Sequence, residues 1–268
     1  MLEHYQWIAN TFNTAADTFD APALSFWSRY GQRTIERLGL QAGDRVLDVC
    51  CGSGASALPA AQRVGPTGSV LGVDLASALL DLGRAKAQQQ GLTNLDFQVG
   101  NFMTLGLPDE HFAAIVSVFG IFFVPEMEQA VQELWRMVRP GGQLAITSWG
   151  KALFEPASGI FKELLAVERP DLVKDEIPWQ RIAEPQGLQA LLAASGATNV
   201  EVFAETDNQP LATPEDWWTM LMGGGYRGVL AQLDPAMRDR LRQRNLAELE
   251  RRQVKALEVE VLYAIAQK

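Results

Sequence analysis

Strand-like and helix-like segments alternate through residues 45–149, and this alternation constrains the fold more than any other feature of the chain. Apolar runs typical of strands are separated by amphipathic stretches with helical spacing. Strands that alternate with helices form right-handed β-α-β units, which build a parallel sheet covered on both faces. The predicted strands span residues 45–49, 69–74, 95–100, 111–119 and 141–149, and the predicted helices span 54–64, 75–91 and 126–138.

The remaining segments extend this sheet and add helices around it. A helix followed by a strand is predicted over residues 185–205, and a closing strand over 259–267. We therefore expect one doubly wound α/β domain of 268 residues with a mostly parallel, seven-stranded sheet. The sequence predicts a core of residues 41–150 and an N-terminal helical cap of residues 1–40. Two helical inserts, residues 151–184 and 213–255, are expected to form a lid over one edge of the sheet.

The charge balance argues against several classes of partner. Acidic residues number 32 and basic residues 23, so the formal net charge is −9. Such a chain repels nucleic-acid phosphates and anionic lipid unless its basic residues cluster, and the arginines between residues 238 and 252 are interleaved with acids. We expect no nucleic-acid or membrane partner and a cytoplasmic location, because the N-terminal residues lack the pattern of a signal peptide. With 2 histidines in the chain, no metal site is expected. The oligomeric state is left open.

The stretch VLDVCCGSG, residues 46–54, places a carboxylate and a glycine turn at the end of the first strand. In an open parallel sheet, ligands bind beyond the carboxyl ends of the strands. Asp74 ends the second strand, where an acid can accept hydrogen bonds from both hydroxyls of a ribose. The turn lacks the G-x-G-x-x-G pattern that holds a pyrophosphate, and Asp48 would repel one. These residues therefore predict a nucleoside ligand with a cationic tail.

Adjacent cysteines, Cys50 and Cys51, stand in the middle of this stretch. Neighbouring residues seldom reach relaxed disulfide geometry, and nothing nearby in the sequence completes a set of metal ligands. We interpret both as small packing residues beneath the ligand.

Four motifs, taken in order, resemble those of the class I S-adenosylmethionine-dependent methyltransferases, and within them the small-molecule branch that includes the ubiquinone/menaquinone-biosynthesis enzymes. VLDVCCGSG resembles the glycine-rich first motif of the family, VLGVDL the ribose-binding second and QVGNF the adenine-contacting third. SVFGIFFVP followed by RMVRPGGQLAITSW is similar to the fourth strand and to the helix, turn and strand after it. The resemblance covers residues 10–150, continues weakly through 185–205, and implies a Rossmann-like fold.

This resemblance implies S-adenosyl-L-methionine as the cofactor and assigns parts of it to individual residues. Asp48 would hold the methionine moiety, Asp74 the ribose and Asn101 the adenine amino group. Backbone carbonyls of the fourth strand would bind the methionine ammonium. The residues implied to bind the cofactor are, in chain order, Asp48, Cys50, Gly52, Gly54, Asp74, Leu75, Asn101, Phe102, Ser117, Val118 and Phe119.

Three positions depart from the family pattern. Cys50 stands where glycine is usual, so its backbone is expected to have φ and ψ values open to an ordinary residue. Asn101 replaces a common aspartate but keeps a carbonyl that can accept from an adenine N–H. Ala113 replaces an aspartate at the start of the fourth strand, which removes a structural hydrogen bond.

The sequence assigns no catalytic residue. Methyl transfer from a sulfonium is an in-line displacement, which proximity and orientation can accelerate without an acid or a base. Relatives often place histidines just after the fourth strand, where this chain has Ile121, Phe122 and Phe123. Glu155 and Glu184 are the carboxylates considered for removal of a proton from the acceptor.

Aromatic side chains in the cap and the inserts favour a planar or apolar small-molecule acceptor. Methylation at oxygen, nitrogen or carbon is open at this point. One alternative is methylation of RNA or protein, against which the acidic charge and the absence of an Asn-Pro-Pro-aromatic signature argue. Another is a non-catalytic protein that binds S-adenosylmethionine. The residues predicted to contact the acceptor are Phe19, Trp27, Tyr30, Phe122, Phe123, Trp179 and Tyr226.

Overall fold

The computed structural model describes residues 2–173 and 177–268. The strands are β1 (Arg45–Val49), β2 (Ser69–Asp74), β3 (Leu95–Val99), β4 (Phe112–Val118), β5 (Val138–Glu155), β6 (Asn199–Pro210) and β7 (Ala256–Gln267). The α-helices are α1 (Leu2–Ala15), α2 (Phe26–Glu36), α3 (Ala57–Val64), α4 (Ser77–Gln89), α5 (Met127–Met137), α6 (Ala157–Glu168), α7 (Pro185–Ala194), α8 (Pro214–Met222), α9 (Arg227–Leu230) and α10 (Pro235–Arg251).

The sheet has the strand order β3-β2-β1-β4-β5-β7-β6. β3, β2, β1, β4 and β5 run parallel, and β7 is antiparallel to both of its neighbours, β5 and β6. The predicted doubly wound, mostly parallel seven-stranded sheet is therefore confirmed. β1 pairs with β4, and the order of the strands reverses at this pair. In such sheets the loops after the two strands leave in opposite directions, and ligands bind at this switch point.

Alternate side chains of the central strands fill two cores, one on each face of the sheet. Leu47 and Ile115 belong to the larger core, whereas Val46 and Val116 belong to the smaller one, which includes α3. Because both faces are covered, the central strands are apolar along most of their length, as FAAIVSV in β4 shows. A charged residue on such a strand, Asp48, therefore requires a specific physical reason.

The helices outside the sheet pack against one another as well as against the core. α10 contacts both α6 and α8, so helices of the two predicted inserts pack against one another. We call α6, α8, α9 and α10 the helical layer. The first helix of this layer begins later than the sequence indicated, because β5 pairs with β7 as far as Glu155 and α6 starts at Ala157. Of the predicted insert 151–184, residues 174–176 lie outside the described residues. Across residues 2–173 and 177–268, no helix has both the length and the apolar character needed to cross a membrane.

Gly31 brings α2 into contact with the loop that follows β1. A methyl group added at Gly31 would lie 2.5 Å from the carbonyl carbon of Ala55. Backbone atoms cannot move aside as a flexible side chain does, so this approach requires glycine. On its other side, α2 is held to β6 by ion pairs from Arg29 and Arg33 to Asp207. Both contacts position α2 relative to the carboxyl edge of the sheet.

Gly31→Ala is expected to lower the free energy of unfolding by about 1–3 kcal/mol, because the new methyl group overlaps the Ala55 carbonyl. Helix propensity alone predicts the opposite sign, since alanine stabilises a helix interior by about 1 kcal/mol relative to glycine. Urea denaturation followed by circular dichroism measures the difference. Ser28→Ala, on the exposed side of the same helix, is the control. A Gly31→Ala variant that is more stable than the native protein would contradict the close contact.

Candidate functional site

Two carboxylates lie on neighbouring strands at the carboxyl edge of the sheet. Asp48 belongs to β1, Asp74 is the last residue of β2, and the two strands pair directly. The glycine turn leaves β1 between them. Gly52 has a φ of 53° and Gly54 a φ of 90°, both in the left-handed region that favours glycine. The residues of the first two predicted motifs are therefore brought together.

The Asp74 carboxylate ties the glycine turn to the start of α4. Its Oδ2 accepts a hydrogen bond from the Gly52 N–H at 2.9 Å, and its Oδ1 accepts one from the Ala76 N–H at 2.9 Å. Burial raises the pKa of this carboxyl group, against the effect of the hydrogen bonds from Ala76 and Gly52. Leu75, between Asp74 and the helix, is half-buried. Because each carboxylate oxygen has a second lone pair, Asp74 can also accept from ribose hydroxyls.

Asp48 is completely buried and carries an unsatisfied oxygen. The Ser56 hydroxyl donates to Oδ2 at 2.6 Å, whereas Oδ1 has no hydrogen-bond partner among the described residues. Loss of hydration raises the pKa of Asp48 to about 7; the Ser56 hydrogen bond opposes this rise and the Asp74 carboxylate adds to it. A buried anion without a cationic partner is costly, so a positively charged ligand would favour the ionised form.

The expectation for the backbone of Cys50 is wrong. Its φ is 57°, in the left-handed region that a residue with a side chain seldom adopts. The turn thus keeps the glycine-like conformation, and the missing side chain of Gly120 makes room for the cysteine. A methyl group added at Gly120 would overlap Cβ of Cys50 and lie 2.9 Å from its sulfur. Burial raises the pKa of both thiols, Cys50 and Cys51, so they are protonated packing groups rather than nucleophiles.

The ends of β3 and β4 bring the other predicted cofactor residues to the same edge. Asn101 Oδ1 accepts from the Met103 N–H at 3.0 Å and caps a short 3-10 turn that contains the buried Phe102. Ser117 is completely buried, and its hydroxyl has no partner in the described part of the chain. Val118 ends β4, and the φ of 54° at Phe119 turns the chain away from the sheet.

Aromatic rings from the cap, β4 and β5 meet at this edge. Phe119 and Trp149 stack with their centroids 3.6 Å apart and their planes inclined by 8°. Phe19 and Trp27 stack at 5.3 Å and 7°. Trp27 joins the two pairs, since its ring lies 5.8 Å from Phe119 and 5.9 Å from Trp149. We call Phe19, Trp27, Phe119 and Trp149 the edge cluster.

Sequence reasoning missed one aromatic residue of this region. Trp149 was placed at the end of a strand with no further role, although the last residue of a strand beside β4 must lie near the carboxyl edge. Phe154, one of the aromatic residues of the predicted inserts, has its ring 5.3 Å from Trp149 and extends the edge cluster. Its φ of 57° is a tertiary feature that the sequence does not signal.

The N-terminal cap lies directly on the glycine turn. A methyl group added at Gly52 would be only 3.3 Å from the ring of Phe19. Asp20 accepts hydrogen bonds from the Ser53 hydroxyl at 2.7 Å and from Lys86 Nζ at 3.0 Å, and Lys86 also donates to Ser53 at 2.7 Å. We call Asp20, Ser53 and Lys86 the latch. Together, Phe19 and the latch cover the turn that the predicted cofactor would touch.

Ring contacts connect three further predicted acceptor residues to the edge cluster: Phe122, Phe123 and Tyr30. Phe122 lies 5.0 Å from Phe123, which contacts Phe12 of α1 at 5.4 Å, and Phe12 contacts Phe19 at 6.4 Å. The Tyr30 ring lies 6.0 Å from Phe119. Its hydroxyl donates to Asp207 at 3.3 Å, and burial and this carboxylate raise the pKa of Tyr30 to about 12. Tyr30 therefore supplies ring contacts rather than a proton.

Two predicted acceptor residues are not in the edge cluster. Tyr226 packs against Phe161 at 5.0 Å, and Trp179 is a buried residue of a 3-10 turn, Pro178–Ile182, that contacts the turn Ile121–Phe123. Their contact with an acceptor stays a prediction.

The two glutamates considered as bases are both engaged with neighbouring groups. Glu184 forms an exposed ion pair with Lys151 at 2.6 Å. Glu155 accepts from the Ser158 hydroxyl at 2.6 Å and from the Gly159 N–H at 3.2 Å, so it caps α6.

The edge of the sheet fits S-adenosylmethionine on its own features. Asp48 Oδ1 and the Ser117 hydroxyl, both without partners within residues 2–173 and 177–268, are buried acceptors suited to cationic groups. The glycine turn has the backbone conformation that allows close approach of a ligand. Asp74 supplies the acceptors that a ribose requires.

The chain belongs to the ubiE/COQ5 methyltransferase family, whose family model matches residues 3–166, more than half of its length. The predicted family is thereby confirmed, and the family is one of methyltransferases. A demethylmenaquinone methyltransferase of Listeria welshimeri is 37% identical over 117 residues, which cover 44% of this chain and 50% of that protein. An uncharacterized protein of Mycobacterium bovis is 38% identical over 184 residues, 65% of this chain and 64% of that protein. The match to the demethylmenaquinone methyltransferases thus spans about half of their length.

Solved structures share the fold at low sequence identity. The YcgJ protein from Bacillus subtilis has a TM-score of 0.59 and 20% identity, covering 90% of this chain and 98% of that chain. The Haemonchus contortus phosphoethanolamine N-methyltransferase 2, in complex with phosphomonomethylethanolamine and S-adenosylhomocysteine, has a TM-score of 0.60 and 17% identity, covering 99% of this chain and 60% of that chain. These likenesses establish the architecture and leave the acceptor to be argued from the site.

The affinity for S-adenosylmethionine is expected to rise roughly tenfold between about pH 6 and pH 8. With a folded-state pKa of about 7, Asp48 is protonated at the lower pH and ionised at the higher, and only the ionised form attracts the cationic ligand. Isothermal titration calorimetry in buffers with different ionisation enthalpies measures both the affinity and the released proton. Asp48→Asn should remove the slope, whereas Asp81→Asn, an exposed acid on α4, should keep it. Equal slopes in the native protein and Asp48→Asn would exclude Asp48 as the titrating group.

Proposed function

We propose that this protein transfers a methyl group from S-adenosylmethionine to a small molecule with a planar, largely apolar ring, of the hydroquinone type. The observation that carries the proposal is the edge cluster, which contains the proposed cofactor residue Phe119 and, in Phe19, a ring that lies against Gly52. Stacked aromatic side chains bind flat rings through large apolar contact areas. The demethylmenaquinone methyltransferase similar to this chain is named for an acceptor of this class.

Asp48, Asp74 and the glycine turn would hold the cofactor. Asp48 would bind its cationic methionine end, Asp74 its ribose, and Asn101 with Phe102 its adenine. When bound, S-adenosylmethionine supplies a methyl group on a sulfonium, which an acceptor atom can displace in line. The chain contributes orientation, because the rings of the edge cluster restrict how a flat acceptor can lie, and it excludes water from the edge.

We infer that the cap and the helical layer close over these two ligands as a lid. The support is the position of Phe19 and the latch on the glycine turn. α1 also contacts α9 of the helical layer, where Arg227 pairs with Asp17 at 2.8 Å. For the cofactor to reach the turn, Phe19 has to leave Gly52.

Label transfer tests the proposed function. Incubated anaerobically with methyl-labelled S-adenosylmethionine and trimethylhydroquinone, the protein should label material that extracts into organic solvent. Chromatography against standards, with fragmentation in the mass spectrometer, then distinguishes durohydroquinone, the product of carbon methylation, from a methyl ether of the same mass. Asp74→Ala should weaken cofactor binding by about 1–3 kcal/mol, because it removes charged hydrogen bonds to the ribose. Asp81→Ala is the matched control, since this exposed acid pairs only with Arg84 among the described residues.

A metabolite extract, total RNA and denatured cell protein should be offered in parallel incubations. Label in RNA or protein would support the macromolecular alternative, and tight cofactor binding without any labelled product would support a non-catalytic role. Label in an extract metabolite other than a ring compound would retain the methyltransferase activity but reject the acceptor class.

Breaking the latch is expected to speed the exchange of cofactor. Lys86→Met keeps the apolar length of the side chain but removes its hydrogen bonds to Asp20 of the cap and to Ser53 of the glycine turn. Half-exposed charge pairs contribute little individually, so the dissociation rate of S-adenosylhomocysteine should rise by roughly two- to fivefold. Stopped-flow displacement measures this rate. Arg84→Met, on the same helix, removes an ion pair to Asp81 instead and should leave the rate unchanged. Identical rates for both variants would remove the latch from the exchange pathway.

A further inference from the structure

Trp27 holds a polar group in an apolar place. Its indole N–H is buried and has no hydrogen-bond partner among the described residues, although the side chain as a whole is partly exposed. An indole at the boundary with solvent normally directs its N–H toward water or a partner. Here the N–H faces the interior instead. The indole therefore loses the hydrogen bond that its N–H would make to water in the unfolded chain.

The surroundings of Trp27 consist of rings. Phe26 lies 4.5 Å away, Phe19 5.3 Å, Phe119 5.8 Å and Trp149 5.9 Å, measured between ring centroids. The faces of these rings are weak hydrogen-bond acceptors compared with a carbonyl or hydroxyl oxygen. Among the described residues, the Trp27 N–H is therefore surrounded by ring faces and has no oxygen acceptor.

The position of Trp27 is fixed by the contacts that hold α2 to the rest of the fold. Trp27 is in the first turn of α2, which Gly31 and the ion pairs to Asp207 hold against the core. Phe119, one of its ring neighbours, directly follows β4, where Ser117 and Val118 precede it. The Trp27 ring, which carries the N–H, is thus held 5.8 Å from the ring of Phe119, at the strand end proposed to receive the methionine part of the cofactor.

We infer that the Trp27 N–H donates a hydrogen bond to an oxygen on the acceptor ring, which makes Trp27 a specificity-determining residue. The inference rests on the proposed function and narrows its acceptor to rings that carry a carbonyl or hydroxyl oxygen. A ring without such an oxygen would leave the donor unpaired in the complex, and sites with a buried unpaired group reject such analogues strongly. Shape and apolar contact alone would not make this distinction.

A pair of probes that differ only in oxygen tests this inference. Duroquinone carries two ring carbonyls, and durene is a ring with the same four methyl groups and hydrogen in place of the oxygens; neither is methylated in this assay, because S-adenosylhomocysteine has no methyl group to transfer. Equilibrium dialysis in the presence of S-adenosylhomocysteine measures their affinities for the full chain. In Trp27→Phe, which keeps a planar ring but has no N–H, the affinity for duroquinone should fall about tenfold more than that for durene.

Trp217→Phe is the matched control, because the Trp217 N–H on α8 is also buried and lacks a partner within residues 2–173 and 177–268. This variant should leave the ratio of the two affinities unchanged. Thermal unfolding of both variants shows whether each is folded, and the durene affinity reports any general loss of packing.

Three outcomes separate a failure of the Trp27 inference from a failure of the proposed function. An equal loss for both probes in Trp27→Phe overturns the role of the N–H and leaves the proposed function intact. A selective loss of duroquinone affinity supports it. If duroquinone does not bind the native protein, which still binds S-adenosylhomocysteine, the proposed acceptor class is wrong and this inference falls with it.

Discussion

Two carboxylates held at one end of a parallel sheet, in a place largely closed to water, determine what this protein can bind. Asp48 and Asp74 receive hydrogen bonds from Ser56, Gly52 and Ala76. Among the described residues, no lysine or arginine contributes to the pKa shift of either acid. Because the chain supplies hydrogen bonds but no counter-charge at this point, the edge is complementary to a ligand that brings its own cation.

The cap links this charged edge to the apolar edge cluster. Phe19 and Asp20 touch the glycine turn, while Trp27 in α2 stacks on Phe19 and lies against the ends of β4 and β5. On α1, the Asn13 side chain accepts from the Ala78 N–H at 2.9 Å and supplies the cap for α4. One continuous segment therefore contacts both the proposed cofactor site and the proposed acceptor site. A displacement of this segment changes the walls of both.

Several parts of the site follow from local sequence, and others do not. The acids at the ends of β1 and β2 and the turn glycines are recognisable because parallel strands must present their carboxyl ends at one edge. The backbone of Cys50 was misjudged because the space for its side chain is left by Gly120, which is distant in sequence and near only in the fold. The contact of Tyr30 with the acceptor stays a prediction; its ring lies 6.0 Å from Phe119, and the hydrogen bond from its hydroxyl to Asp207 on β6 requires the three-dimensional arrangement of the cap.

The alternation of apolar and amphipathic segments was sufficient to establish the doubly wound sheet, since periodicity dictates which faces are buried and βα units have one favoured handedness. The same local patterns were sufficient to locate the cofactor edge and its acids. They could not show that Trp149 stacks on Phe119, that the cap rests on Gly52, or that the Trp27 N–H turns inward. Those features arise from packing between segments far apart in the chain. Such contacts depend on how whole elements pack together, which no local run of residues encodes.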